Sequence, residues 1–262
     1  MKNRISEFLP AECPWRDTLH WFSQVSSTNT LAKEMASQGA PHGTVLIAGS
    51  QTAGRGRMGR SFSSAEGKGI YLSVILRPEC LAEQLMHLTC AVAVSICDAV
   101  EKSCGVRPAI KWINDLVLGK KKLGGILTEL SIDRGSVQYA VVGVGLNCTQ
   151  KAEDFPEEIQ DIALSLQDYI KKTVDIPKLT GAIINALWEM DKNLLSKDFM
   201  TVYKKDCITL GQEISIVRAN EISHGKAVGL TADGGLVVQF PNGKEETVQS
   251  GEVSIRGMCG YV

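Results

Sequence analysis

Residues 45–76 read VLIAGSQTAGRGRMGRSFSSAEGKGIYLSVIL, and this stretch decides the fold. Its opening, Val45-Leu46-Ile47-Ala48, is apolar and partly β-branched, which predicts a strand over 45–50. The middle, Gly54-Arg55-Gly56-Arg57-Met58-Gly59-Arg60, holds three glycines and three arginines in seven residues. Glycine lets the backbone approach a ligand closely, and arginine brings planar, permanently charged donors that match carboxylate and phosphate. The spacing fits G-x-G-x-x-G, the dinucleotide-binding fingerprint, but that fold needs a helix N-terminus directly afterwards to hold the pyrophosphate. Here Arg60-Ser61-Phe62-Ser63-Ser64, then Gly67 and Gly69, lead into a second strand over 70–76. A protein-kinase glycine-rich loop does sit between strands, but it places Val two residues past its last Gly. This chain has Ser61 there, and no H-R-D or D-F-G follows. What remains is a basic loop between two strands, either a solvated hairpin or a lid over a small anion.

Outward from the loop, 21–26 predicts a short strand. Ser26-Ser27-Thr28-Asn29 offers several N-caps for a helix to about residue 38, which Gly39 and Pro41 end. Over 81–102, Leu85, Leu88, Val92, Ile96 and Ala99 or Val100 recur at helical spacing. Short strands follow over 110–113 and Asp115–Leu118, then a basic turn at 119–121 and a strand over 125–131. The nearly all-apolar 137–146 predicts a central strand. Helices are predicted over 157–170, where Ile159, Ile162, Leu166 and Ile170 share a face, and over 177–195. Near Leu210 the pattern changes to short strands over Glu213–Arg218, 225–230, 236–240 and Glu245–Val248, with a hairpin signal at Asp233-Gly234-Gly235. The expected organisation is a domain over 1–208 followed by a small β-barrel over 209–262.

Composition bounds the function. With 262 residues, 44% apolar, 22% charged and a net charge of −1, nothing global points to nucleic acid or an anionic membrane. No apolar run reaches about 18 residues, and the N-terminus lacks a signal-type apolar core, so a cytoplasmic protein is expected. The eight cysteines form no C-x-x-C pair and read as reduced, packed hydrophobes; the four histidines lack metal spacing.

Three further segments carry unusual chemistry. Lys111-Trp112-Ile113-Asn114-Asp115 puts a cation, an amide and a carboxylate around a strand break, although such a cluster also suits a structural turn. Lys122-Leu123-Gly124-Gly125-Ile126-Leu127 places a lysine before two glycines at a strand entrance, with Lys120 and Lys121 read as a solvated turn. Glycines inside the strand Val142-Gly143-Val144-Gly145-Leu146-Asn147 mark close approach, by a ligand or by packed backbone.

Taken in order with Ser27-Thr28-Asn29, Gln51-Thr52-Ala53-Gly54-Arg55-Gly56-Arg57 and Tyr71-Leu72-Ser73, these segments resemble the biotin protein ligases, at motif level from about Ser26 to Asn147. The resemblance implies an α+β fold: a catalytic domain related to class II aminoacyl-tRNA synthetases, then an SH3-like barrel. It implies ATP, biotin and Mg2+, and a two-step reaction through biotinyl-5′-AMP to a lysine of a biotin carboxyl carrier domain. Ser27, Thr28 and Gln51 match positions that hydrogen-bond the ureido ring; Asn29, Gly54, Gly56, Gly125 and Gly145 complete the implied biotin site. Arg55 and Arg57 match loop arginines that order over carboxylate and adenylate, and Arg60 matches a support for the triphosphate. Lys122 matches the lysine bridging carboxylate and phosphate. Lys111 is implied to stabilise phosphate charge, Asn114 and Asp115 to position ATP, magnesium or the incoming lysine, and Phe62 and Asn147 to serve the nucleotide side. No metal-ligand set follows from spacing.

Two positions depart from the family pattern: Ile113 stands where many relatives have proline, and Phe62 where tryptophan is usual, losing an indole donor. About 20 residues precede the first predicted strand, too few for the helix-turn-helix domain of the repressor subset, so no DNA binding is expected. The resemblance allows monomers or sheet-edge homodimers. The competing expectations are a lipoate or octanoate ligase of the same ancestry and a non-catalytic biotin sensor.

Overall fold

The computed structural model describes residues 1–218, 221–249 and 254–257. In chain order the main unit contains α1 (Lys2–Ser6), β1 (Leu19–Val25), α2 (Thr28–Ser37), β2 (Thr44–Gln51), β3 (Gly69–Leu76), α3 (Leu88–Cys104), β4 (Ala109–Lys111), β5 (Asp115–Leu118), β6 (Lys121–Asp133), β7 (Ser136–Asn147), α4 (Leu166–Ile170), α5 (Ile176–Asp191) and α6 (Met200–Asp206). Its seven strands form one sheet in the order β1-β2-β3-β7-β6-β5-β4, which puts β7 at the centre as its apolar run predicts. β1 and β2 are parallel; the other neighbours are antiparallel.

Strand alternation divides the sheet between two environments. Ile70, Leu72 and Val74 of β3 and Val142, Val144 and Leu146 of β7 belong to the main core with α3 and α5. The opposite parity, Ile75 and Val141, packs with Leu46 under Ala32 and Ala36 of α2. On this second face β6 and β7 carry Gly125, Gly143 and Gly145, so the sheet stays open beyond the α2 N-terminus and a cleft forms there.

The second unit is a five-stranded antiparallel sheet in the order β11-β10-β9-β8-β12, from β8 (Glu213–Arg218), β9 (Glu221–Leu230), β10 (Leu236–Gln239), β11 (Glu245–Val248) and β12 (Ser254–Gly257). The last strand has no counterpart in the sequence expectations, and part of the 209–262 segment lies outside the described residues. The two units join firmly. The Trp112 backbone N–H donates to Thr209 Oγ1 at 2.9 Å, and its indole N–H donates to the Gly234 carbonyl at 2.8 Å, at the expected hairpin turn.

Three expectations need correction. The 81–102 helix begins only at Leu88, because Ala82 donates to the Gly135 carbonyl (2.9 Å) and Leu81 bridges Ser136, holding 81–85 as a short 3-10 turn beside the β6–β7 hairpin. The 157–170 helix exists only as a 3-10 turn at Glu157–Ile159 and the short α4. Between them the chain turns through 160–162 and then bridges Lys122 at Ala163: Lys122 N–H donates to Ile162 O at 2.7 Å, and Leu164 N–H to Lys122 O at 3.0 Å. Strand pairing outweighs helical periodicity here. The third, the 177–195 helix, stops at Asp191. The first residues also gain a role: Ile5, Leu9, Cys13 and Trp15 are buried in the main core. The seven described cysteines are all free, and burial pushes the Cys90 thiol up to about 12.

Candidate active site

The Gly/Arg loop is a small closed hairpin. Phe62 N–H donates to Gly54 O (2.8 Å) and Gly56 N–H to Arg60 O (2.7 Å), around a turn in which Met58 and Gly59 have φ of 55° and 75°. Gly54 lies buried behind the hairpin, where a side chain would strike the Phe62 carbonyl. The phenyl ring of Phe62 covers Gly145 and meets Tyr71 edge-on at 6.4 Å.

One end of the cleft is built from neutral polar groups. Ser27 caps α2, accepting from Thr30 N–H at 3.4 Å. Thr28 donates to Gln51 Oε1 through its backbone N–H (2.8 Å) and its hydroxyl (3.1 Å). The Ser73 hydroxyl lies 2.8 Å from Thr28 Oγ1 and 2.7 Å from Asn29 Oδ1. Asn29 donates through Nδ2 to Leu127 O and to Glu129 Oε2 at 3.1 and 3.0 Å. Gly143 is required because any Cβ would overlap the Asn29 amide.

The other end is charged. Lys122 Nζ donates to Asp115 Oδ1 at 2.7 Å, with Gly125 alongside. Arg57 NH1 donates to Asn114 Oδ1 at 3.1 Å, and Asn114 is itself held by its Nδ2–H to Ile126 O at 3.0 Å. The second Arg57 terminal nitrogen is buried without a hydrogen-bond partner. Burial lowers the Arg57 pKa from its ordinary value and the neighbouring Arg60 lowers it further, while Asp115 opposes both. Lys111 is buried at the same end, and Arg60 lies exposed at the rim.

The sequence-expected residues Ser27, Thr28, Asn29, Gln51, Arg55, Gly56, Arg57, Arg60, Phe62, Lys111, Asn114, Asp115, Lys122, Gly125 and Gly145 therefore line a single cleft. Asn147 does not join them. Its side chain is buried, donates to Leu164 O at 3.2 Å and accepts from Gln150 Nε2 at 3.2 Å. Sequence reasoning gave no role to Ser73 or Glu129. Ser73 entered only as part of the Tyr71-Leu72-Ser73 element, opposite Gly143, and the signal for Glu129 was only position, on the open face of the sheet with Gly125.

Comparison with known proteins agrees with this geometry. Residues 21–147 match the Biotin/lipoate A/B protein ligase family, and residues 209–256 match the Biotin protein ligase C terminal domain. A Bifunctional ligase/repressor BirA from Bacillus spizizenii is 35% identical over 227 residues, covering 84% of this chain and 68% of the relative. A Biotin--[acetyl-CoA-carboxylase] ligase from Mycobacterium tuberculosis is 31% identical, covering 94% and 92%. The solved biotin protein ligase from Aquifex aeolicus in complex with biotin and ATP superposes with a TM-score of 0.74 at 31% identity, covering 91% of this chain and 98% of the other. The fold is the expected one, a synthetase-like α+β domain followed by an SH3-like barrel. With 92% of the Mycobacterium tuberculosis ligase and 98% of the Aquifex aeolicus structure matched, the chain belongs to the biotin protein ligase family.

Proposed function

We propose that residues 1–208 form the catalytic unit of a biotin protein ligase and 209–262 its C-terminal unit, and that the cleft runs both half-reactions with the residues named above. In the first, a biotin carboxylate oxygen attacks the α-phosphorus of ATP, and the bond to pyrophosphate breaks. In the second, the amine of an acceptor lysine attacks the mixed anhydride carbonyl, and AMP leaves. The observation that carries this reading is the two-ended cleft: a neutral hydrogen-bonding end, where Thr28, Asn29, Gln51 and Ser73 converge, beside a cationic end built on Lys122 and Arg57.

The ureido ring has N–H donors and a carbonyl acceptor, which suits Ser27, Thr28, Asn29 and Gln51. The carboxylate and α-phosphate lie toward Lys122 and Arg57, where fixed cations stabilise charge that grows in the transition state, and Arg55 closes over the carboxylate from the hairpin when substrate is bound. Lys111 and Arg60 face the leaving pyrophosphate. Phe62 screens the site from water, which protects an acyl-adenylate from hydrolysis. Asn147 acts on the nucleotide only through the Leu164 carbonyl that it holds.

Mg2+ fits this end of the cleft. It is commonly held by one or two carboxylates together with phosphate oxygens, and Asp115 and Asn114 place side-chain oxygens there. Among the described residues no cluster of three or more His, Cys, Asp or Glu offers a complete protein cage. The ion would neutralise triphosphate charge.

The acceptor is a lysine of a biotin carboxyl carrier domain. The net charge of −1 supports action without DNA, and the free cysteines support a reducing cytoplasm. The deciding experiment is exchange of labelled pyrophosphate into ATP with biotin, lipoate or octanoate as the acid. Exchange with biotin alone is expected; exchange with lipoate alone would overturn the biotin assignment.

A further inference from the structure

Of the three loop arginines that line the cleft, Arg55 and Arg57 point to opposite ends of it. Arg57 reaches Asn114 at the cationic end. Arg55 instead lies against Glu129, with NH1 3.2 and 3.3 Å from its two oxygens. Glu129 also accepts from Lys33 Nζ at 2.9 Å and from Asn29 Nδ2 at 3.0 Å. Burial raises its pKa, but the Lys33 and Asn29 hydrogen bonds and the Arg55 charge outweigh that and hold the carboxyl below its ordinary range. Glu129 is thus an ionised group whose side chain is 19% exposed, tied at once to a ureido-end amide and to a lid arginine.

The contacts close a circuit. From Arg55 the path runs through Glu129, Asn29, Ser73 and Thr28 to Gln51. Gln51 Nε2 donates to Ser64 Oγ at 2.9 Å, and Ser64 donates to Phe62 O at 3.1 Å, back on the same hairpin. The lid is therefore fastened at both feet to the polar end of the cleft. An anion between carboxylate and phosphate needs the Arg55 guanidinium, and so does Glu129.

We propose that Glu129 is a positioning residue that latches the Gly/Arg hairpin through Arg55 and competes with the substrate anion for it. Lys33 moderates the latch, because it draws on the same carboxylate from the other side. Two substitutions then act in opposite directions. Glu129→Gln keeps an oxygen for Asn29 but removes the charge, so Arg55 becomes available to substrate. Lys33→Met leaves Arg55 as the one cation on Glu129 and tightens the latch.

The test has a kinetic arm, which rests on the biotin-ligase reading, and a physical arm, which does not. In pyrophosphate exchange, Glu129→Gln is expected to lower the KM for biotin about three-fold and Lys33→Met to raise it by a similar factor, with kcat little changed, as suits a half-exposed ion pair. In the physical arm, ligand-free protein is treated with trypsin and cleavage at residues 55–60 is followed by mass. The hairpin of Glu129→Gln is expected to be cut faster than wild type and that of Lys33→Met more slowly, with all three protected by biotin plus ATP. Shifts of both variants in the same direction, or a Glu129→Gln hairpin cut at the wild-type rate, would overturn the latch. A wild type that is silent in exchange would count against the ligase reading alone, and the tryptic comparison would still decide the latch.

Discussion

The two ends of the cleft use opposite strategies with the same sheet beneath them. At the neutral end Ser27, Thr28, Asn29 and Ser73 are at most 4% exposed; Ser73 binds both Thr28 and Asn29, and Ser27 caps α2. Such a network is rigid because breaking any member strands a buried donor or acceptor. At the cationic end Lys122 is 30% exposed by side chain, and Arg57 keeps a buried nitrogen without a hydrogen-bond partner. That arrangement costs stability and holds donors ready for an anion. One end recognises shape that is already satisfied within the protein; the other is held ready for charge that arrives with the substrate.

This contrast breaks most visibly at Lys122. Lys122→Ala should lower kcat/KM for exchange by about 10²- to 10³-fold, the range for losing one preorganised charge donor, while the melting temperature barely moves. Full activity in that variant would remove Lys122 from the chemistry. Arg57→Met sharpens the stability half of the comparison. Exchange should fall at least about ten-fold, yet the melting temperature should rise by about 2 °C, since a desolvated, incompletely bonded guanidinium is replaced by an apolar chain. A loss of both activity and stability would mean that Arg57 is a structural member after all.

At the neutral end, Gly143→Ala places a methyl group on the Asn29 amide. Biotin KM should rise about ten-fold with kcat retained, because the displaced Asn29 amide misplaces the ring-binding groups without touching the cations; a biotin titration of exchange separates the two parameters. The smallest effect concerns pH. The folded-state pKa of Glu129 is depressed, so its stabilisation is present above the ordinary carboxylate pKa of about 4.3 and is lost as pH falls through the lower folded value. Between about pH 6 and pH 3 the wild type should therefore lose up to ~1 kcal/mol more than Glu129→Gln, given partners that are 41% and 44% exposed. Parallel acid limbs in urea melts would argue against the ion pair.

What the sequence disclosed was local. The Ser27 cap, the basic turn at 119–121 and the hairpin signal at Asp233-Gly234-Gly235 each depend on residues within a few positions, and each stands where it was expected. The Gly/Arg loop was legible as a loop because no helix signal follows Gly59. The 157–170 error had the opposite origin: its apolar spacing is helical, but the edge of β6 beyond Gly124 needed a pairing partner after β7 had ended, and residues 162–164 supply it. Glu129 was invisible because one polar residue in an alternating strand looks like any other. The Trp112–Gly234 bond joins residues 122 positions apart and leaves no local mark.

The pinning of Lys122 has a consequence for engineering. Its N–H and C=O are both held by the 162–164 segment rather than by the turn that precedes it. That turn, Gly119–Lys120, is exposed, with φ of 52° and 67°. New chain ends, or a grafted epitope, placed between those two residues should leave the lysine seated, so the cleft can be carried into a circularly permuted protein or a sensor fusion opened at 119–120.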